Sequence, residues 1–188
     1  LCSSVVTLNP VSDRFLSQHR VQNRPTLPFV VALELMAEAV RARIGESHAG
    51  ICVQAVAKQA IRFATDDALA VTVQTHVTDD SMIECRLLAD VRRRDGRMVE
   101  EDREYFRATF DIQNRQSEAT DQILCSTKCE SELDWHRIQY SSPEGLIYHG
   151  PELQELREVA DDGQTIYGRI AASAPVQLFG GSRTRGFT

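Results

Sequence analysis

The sequence predicts an α+β fold in which an antiparallel sheet wraps around one central helix. Three observations predict it. One strongly apolar helix candidate follows Pro28. Four segments with apolar residues at every second position come after it, at 51–63, 69–78, 82–93 and 99–112. Short turn signals separate the later ones, Asp79-Asp80-Ser81 and Arg94-Asp95-Gly96. A meander with a hydrophobic face needs something apolar to cover it, and the helix is the available cover.

Residues 4–8 (SVVTL) read as a short strand, closed by a turn at Pro10. Residues 15–22 then lead into the central helix, with His19 on an extended segment. The helix is expected over 28–44, with Pro28 as its first residue, where a missing N–H costs nothing. Phe29, Val30, Val31, Leu33, Leu35, Met36, Ala37 and Val40 cover most of its circumference, so it is expected to be wrapped by other structure. Glu34, Glu38 and Arg41 form one polar stripe at i, i+4, i+7. Gly45 is a natural stop.

In 51–63, Ile51, Val53, Ala55, Ile61 and Phe63 are expected on one buried face. The later strands bury Leu69, Val71, Val73 and Val77; Ile83, Cys85, Leu87, Ala89 and Val91; and Phe106, Ala108, Phe110 and Ile112. The chain divides into a first unit, 1–113, a polar linker, 114–131, and a second unit, 132–188. The second unit opens with a helix candidate near 132–138, then LIYHGPELQEL at 146–156. Strand candidates at 156–160 and 164–172 flank an Asp161-Asp162-Gly163 turn. It contains no second central helix, so this unit is expected to be incomplete.

The 188 residues carry a formal charge of -6 with no dominant basic stripe. That argues against nucleic acid and anionic membrane as partners. No apolar run approaches a membrane span, and the N-terminus lacks a signal-peptide layout. The chain begins at Leu1, so it is expected to be part of something longer. Cys2, Cys52 and Cys85 read as buried thiols in a reducing, cytoplasmic compartment. Cys125 and Cys129 form a lone CxxxC, two ligands short of a structural zinc site.

Two motifs carry a resemblance. His19, Asn23 and Pro28 stand at the spacing HxxxGxxxxP, and Tyr148, Gly150, Pro151, Leu153 and Gln154 follow a YGPxFQ-like pattern. The chain thereby resembles the dehydratase domains of polyketide synthases and of the related polyunsaturated fatty acid synthases, which are double hotdogs. The resemblance covers the first hotdog, the linker and the opening of the second. It implies His19 as the catalytic base and Pro28, Phe29, Tyr148, Gly150 and Pro151 as substrate-binding positions. It implies no metal or redox cofactor, only a substrate carried on the phosphopantetheine of an acyl carrier protein. Other synthase domains and a second copy of the domain are the further partners it suggests.

Three departures stand against the pattern. Asn23 replaces Gly, a mild change because Asn tolerates positive φ. Phe29 replaces the Gly after the proline, where a ring either narrows the substrate tunnel or turns away from it. No DxxxQ or DxxxH follows Tyr148, so the acidic partner is expected outside this chain.

Elimination of water from a 3-hydroxyacyl thioester needs a base for the α proton and an acid for the leaving hydroxyl. An imidazole suits the first task near neutral pH. The helix N-terminus at Phe29–Val31 offers N–H groups to polarise the thioester carbonyl. Each candidate has a plainer structural reading. His19 alone would be a residue that holds a turn. Glu34, six positions after Pro28, matches the catalytic Glu of stand-alone dehydratases, yet a locally bonded carboxylate is the favoured reading. Tyr148 and His149 lie by resemblance near the mouth of the site, where Gly150 and Pro151 serve at least to shape a turn. His48, His76 and His136 read as solvated.

Arg92, Arg93, Arg94 and Arg97 suggest attraction for an acidic carrier, but the acidic residues that follow compensate them. A product-template-like aldol cyclase and a non-catalytic hotdog scaffold are the alternatives on the same fold.

Overall fold

The structure is a computed structural model that describes residues 1–45, 50–79, 81–93, 97–113, 133–142 and 145–171. It opens with β1 (Cys2–Leu8), a short helix α1 (Arg14–Gln18), β2 (His19–Val21) and β3 (Arg24–Pro25). The long helix α2 (Phe29–Ile44) leads into β4 (Ile51–Ala57), β5 (Leu69–Val77), β6 (Met82–Arg92) and β7 (Met98–Asp111). The later part holds β8 (His136–Arg137), β9 (Ile147–His149), a 3-10 turn at Pro151–Leu153, β10 (Leu156–Asp161) and β11 (Ile166–Ile170).

Five strands form one antiparallel sheet in the order β1-β5-β6-β7-β4. Helix α2 lies on β5, β6 and β7, as the alternation of those strands predicts. Val31, Ala32, Leu35, Met36 and Val40 are buried against Val71, Val73, Ile83, Cys85, Leu87, Phe106, Ala108 and Phe110. Each such aliphatic contributes about 1.5–3 kcal/mol by leaving water. The alternation of β5 continues to Thr75, which is buried, rather than to Val77, which is exposed. Leu88 pairs with Thr72 on the face opposite Leu87 and Ala89, and it is buried outside the core cluster.

Both ends of α2 follow from backbone chemistry. Pro28 is the N-cap rather than the first helical residue: φ is −62° but ψ is 139°. Its carbonyl accepts from the N–H groups of Val31 and Ala32, both at 3.1 Å. At the other end Gly45 takes φ 70° and donates its N–H to the Arg41 carbonyl at 2.9 Å. A Cβ makes that left-handed conformation costly, so glycine stops the helix. Arg41 spans the polar stripe, bonding Glu34 at 3.1 Å and also pairing with Glu38.

Several expectations are corrected. Helix α2 is not wrapped all round, since Val30 is 70% exposed and Leu33, Glu34 and Ala37 are half-buried. His19 does stand on an extended segment, β2, but Arg14–Gln18 before it forms an unexpected helical turn that buries Phe15 and Leu16. The segment 51–63 does not bury one face. β4 ends at Ala57 and, as an edge strand beyond the reach of α2, leaves Val53 and Val56 exposed, whereas Ile61 and Phe63 are buried in the irregular chain after it. Cys2 and Cys52 lie on edge strands and are exposed. Only Cys85 of the three is buried, and burial pushes its thiol up to about 12.

The helix expected at 132–138 is replaced, over its described residues, by strand β8, which pairs with β10. His136 and Arg137 pair with Val159 and Glu158 of β10, and so short a helix has little intrinsic stability. Cys125, Cys129, His48 and the tips of both predicted hairpins lie wholly or partly outside the described residues. The later segment is joined to the first unit by a third small sheet, β3-β2-β9.

Candidate active site

That small sheet carries His19. Helix α1 ends at His19, whose backbone is extended (φ −119°, ψ 97°) and starts β2. Strands β2 and β3 form a hairpin with Arg20 opposite Pro25 and Val21 opposite Arg24. Its two central residues, Gln22 and Asn23, have φ of 52° and 60°. Both are left-handed, as a two-residue turn of this hand requires. Asn23 therefore meets the conformational demand that glycine meets in the motif. Arg20 binds the hairpin from outside, donating to the Ser17 and Asn23 carbonyls at 3.2 and 3.1 Å and pairing with Asp66 at 3.3 Å.

The hairpin brings the His19 ring back onto the chain just before α2. Nδ1 of His19 lies 2.7 Å from the carbonyl oxygen of Thr26. A carbonyl only accepts, so Nδ1 carries a hydrogen, and in the neutral ring Nε2 keeps the lone pair. Thr26 is itself immobilised. It is buried, its N–H donates to the His19 carbonyl at 2.9 Å, and its hydroxyl donates to the Arg24 carbonyl at 3.0 Å. On its far side the segment 61–63 is bonded to 25–27, through Leu27 N–H to Ile61 and Phe63 N–H to Pro25, both 2.9 Å. Two residues after Leu27, helix α2 begins with N–H groups that have no carbonyl one turn behind them.

The motif at 147–154 supplies the opposite wall. β9 runs antiparallel to β2, with His149 opposite His19, Tyr148 opposite Arg20 and Ile147 opposite Val21. Side chains of a strand alternate between faces. His149 therefore shares the face of His19, and Tyr148 lies on the other face with Arg20. The residue directly before Gly150 is His149, so the Tyr position of the motif falls on His149 and not on Tyr148. The imidazoles of His19 and His149 are 5.1 Å apart between centroids, tilted by 43°. Tyr140 sets its ring edge-on to His149 at 6.1 Å and anchors its hydroxyl on the Leu156 carbonyl at 2.9 Å. Partial burial and the neighbouring His19 lower the pKa of His149 below the usual imidazole value.

Gly150 and Pro151 shape the turn. Gly150 donates its N–H to the Gln18 carbonyl at 2.7 Å, and a Cβ on it would fall 2.6–2.8 Å from the Gln18 side chain. Pro151 opens the 3-10 turn and is exposed. Gln154 donates its amide to the His149 carbonyl at 2.8 Å.

Phe29 turns away from this site. Its ring stacks on Phe106 at 5.6 Å between centroids, with the planes 23° apart, and so joins the core. Glu34 is paired with Arg41. The basic run is partly neutralised: Arg92 bonds Asp90 at 3.2 Å beside a cleft of about 310 Å³ that Arg62, Arg93, Asp67 and Tyr105 also line. His76 and His136 are exposed, as expected. Among the described residues no cluster of three or more His, Cys, Asp or Glu is placed to hold a metal ion. None of their helices is long and apolar enough to cross a membrane.

An antiparallel sheet laid around one helix, with a histidine delivered to the N-terminus of that helix, defines a hotdog domain. Residues 4–90 match the family model of the polyketide synthase dehydratase domain. Over those residues the chain is similar to the N-terminal hotdog of the polyketide synthase dehydratase domains.

Solved structures of that class share the fold. The dehydratase domain from the CurF module of the curacin polyketide synthase superposes with a TM-score of 0.67 at 12% identity, over 98% of this chain and 64% of that one. The bifunctional dehydratase-cyclase domain of ambruticin biosynthesis gives 0.66 at 13% identity, over 98% and 63%. An inactive mutant of the CurK dehydratase, with a histidine replaced by phenylalanine, gives 0.61 at 14% identity, over 93% and 59%. The chain thus spans less than two thirds of the length of each of these domains, as part of a double hotdog. No curated protein sequence matches the chain.

Proposed function

We propose that this chain is the histidine-bearing part of a dehydratase that removes water from a 3-hydroxyacyl thioester on an acyl carrier protein. One observation supports the reading: the bond from Nδ1 of His19 to the carbonyl of Thr26, three residues before α2 begins, which in the neutral ring leaves the lone pair on Nε2. In the reaction Nε2 takes a proton from the α carbon. The α C–H electrons form the double bond as the β C–O bond breaks, and the oxygen leaves as water with a proton from an acid. The N–H groups at the start of α2 are suited to hold the thioester oxygen, where negative charge develops. The same acid–base scheme needs neither metal nor redox cofactor. That replacement of a histidine inactivates the CurK dehydratase supports the role given to His19.

The test uses the full-length protein that contains this chain. A 3-hydroxyacyl carrier-protein thioester is incubated with it at several acyl lengths and read by mass spectrometry, with His19→Ala in parallel. Loss of water that vanishes in the mutant is the expected result. No loss of water from a well-folded parent would overturn the reading in favour of a cyclase or a scaffold.

A further inference from the structure

The proposed base does not stand alone. Backbone hydrogen bonds run from the Gly150 N–H to the Gln18 carbonyl and from the Gln22 N–H to the Leu146 carbonyl, at 2.7 and 2.8 Å. Hydrogen-bonded and non-hydrogen-bonded pairs alternate along an antiparallel ladder. His19 and His149 therefore form a non-hydrogen-bonded pair, the kind whose side chains approach most closely. Their rings do meet, at 5.1 Å.

From β3 the Thr26 carbonyl orients His19 at 2.7 Å. From the loop before β9, Tyr140 meets His149 edge-on. From the turn after β9, Gln154 holds the His149 backbone. Of the arginines in this sheet, Arg20 lies on the other face and is paired with Asp66, while Arg24, opposite Val21, lies on the face of His19 and is exposed. Among the described residues, the rings in contact with His149 are an imidazole and a phenol, and neither is an anion at neutral pH. Nothing among them favours a proton on His149, while a proton on His19 opposes one.

We propose that His149 is a positioning residue for His19: its uncharged ring, set against the base across β2 and β9, holds the imidazole in place and excludes a second positive charge beside it. This rests on the reading of His19 as the base. The consequence is that the pair holds one proton at a time, so the proton taken from substrate stays on His19 until it is returned or lost to water. The lowered pKa of His149 agrees with this arrangement.

Titration of the imidazole protons by NMR on the full chain tests it, with His19→Phe and His149→Phe as variants. Phenylalanine keeps a flat ring at each place. In the parent, His149 is expected to titrate below the free-imidazole value of about 6.5 and to move up towards it in His19→Phe. A value for His149 that is ordinary in the parent, or that ignores residue 19, would overturn the proposal. In turnover assays His149→Phe is expected to lower kcat by about tenfold or more with little change in KM; an unchanged kcat would overturn it too. Coupled titration in a protein that never releases water would keep the pair and sink the dehydratase reading, so the two failures are distinct.

Discussion

His19 and Thr26 bond to each other twice. The imidazole Nδ1 donates to the Thr26 carbonyl at 2.7 Å, and the Thr26 N–H donates to the His19 carbonyl at 2.9 Å. The first bond selects the tautomer, and the second fixes the backbone from which the ring hangs. Replacement of His19 by Gln keeps a donor for the carbonyl but removes the basic nitrogen. We expect His19→Gln to fold with an unchanged melting temperature and to lose about 10²–10⁴-fold in turnover. Melting curves and product mass spectra on the same preparations check both halves.

Gly150 is needed for close approach rather than for unusual backbone angles, since its φ is −70°. A methyl group there meets the Gln18 side chain at 2.6–2.8 Å. Gly150→Ala should therefore cost roughly 1–3 kcal/mol, the range for overpacking. Gln18→Ala in the same chain should recover part of that loss. Denaturant midpoints of the two single variants and the double variant would show it; simple addition of the losses would refute the contact.

Phe29 stands where a small residue is expected, and its ring lies on Phe106. Phe29→Ala should destabilise the domain by about 2 kcal/mol, less than for a fully buried ring because Phe29 is only half-buried. A change in KM without a change in stability would instead place the ring in the substrate path.

Glu104 joins a charged ladder on the outer face of the sheet. Hydrogen bonds from Arg107, two at 2.8 Å, and a pair with Lys58 at 2.8 Å lower its pKa to about 2. A carboxylate held down in the folded state stabilises it above the unfolded value and loses that effect as pH falls to the folded one. Stability should thus decline from about pH 4.5 towards pH 2, and Glu104→Gln should flatten that decline. Urea midpoints measured at intervals of pH would decide.

His149 contributes with the opposite charge but the same sense. Its lowered pKa means that the unfolded chain binds this proton more readily, so stability is lost as pH falls below about 6.5. His149→Phe should make the melting temperature less sensitive to pH in that window.

Much of this was legible in the chain itself. The period of two in 69–112 and the apolar run after Pro28 specify a sheet and its covering helix, because alternation and helical periodicity decide which atoms can leave water. Gly45 and Asn23 announce a helix stop and a left-handed turn through local sterics alone. His19 and its spacing to Pro28 are likewise local, within one hairpin. What failed depends on neighbours far along the chain. β4 has the pattern of a buried strand but sits at an edge, and Cys52 is exposed with it. Residues 133–138 give a strand only because β10 is there to pair with them. Above all, the choice between Tyr148 and His149 rests on register. A shift of one residue moves a side chain to the opposite face. No local preference of either residue contains that information; the pairing of β9 with β2, more than a hundred residues earlier in the chain, puts His149 against His19. Composition and periodicity thus determined the layers, the resemblance carried by the His19–Pro28 motif implied the proposed base, and only the tertiary pairing of distant strands decided what stands beside it.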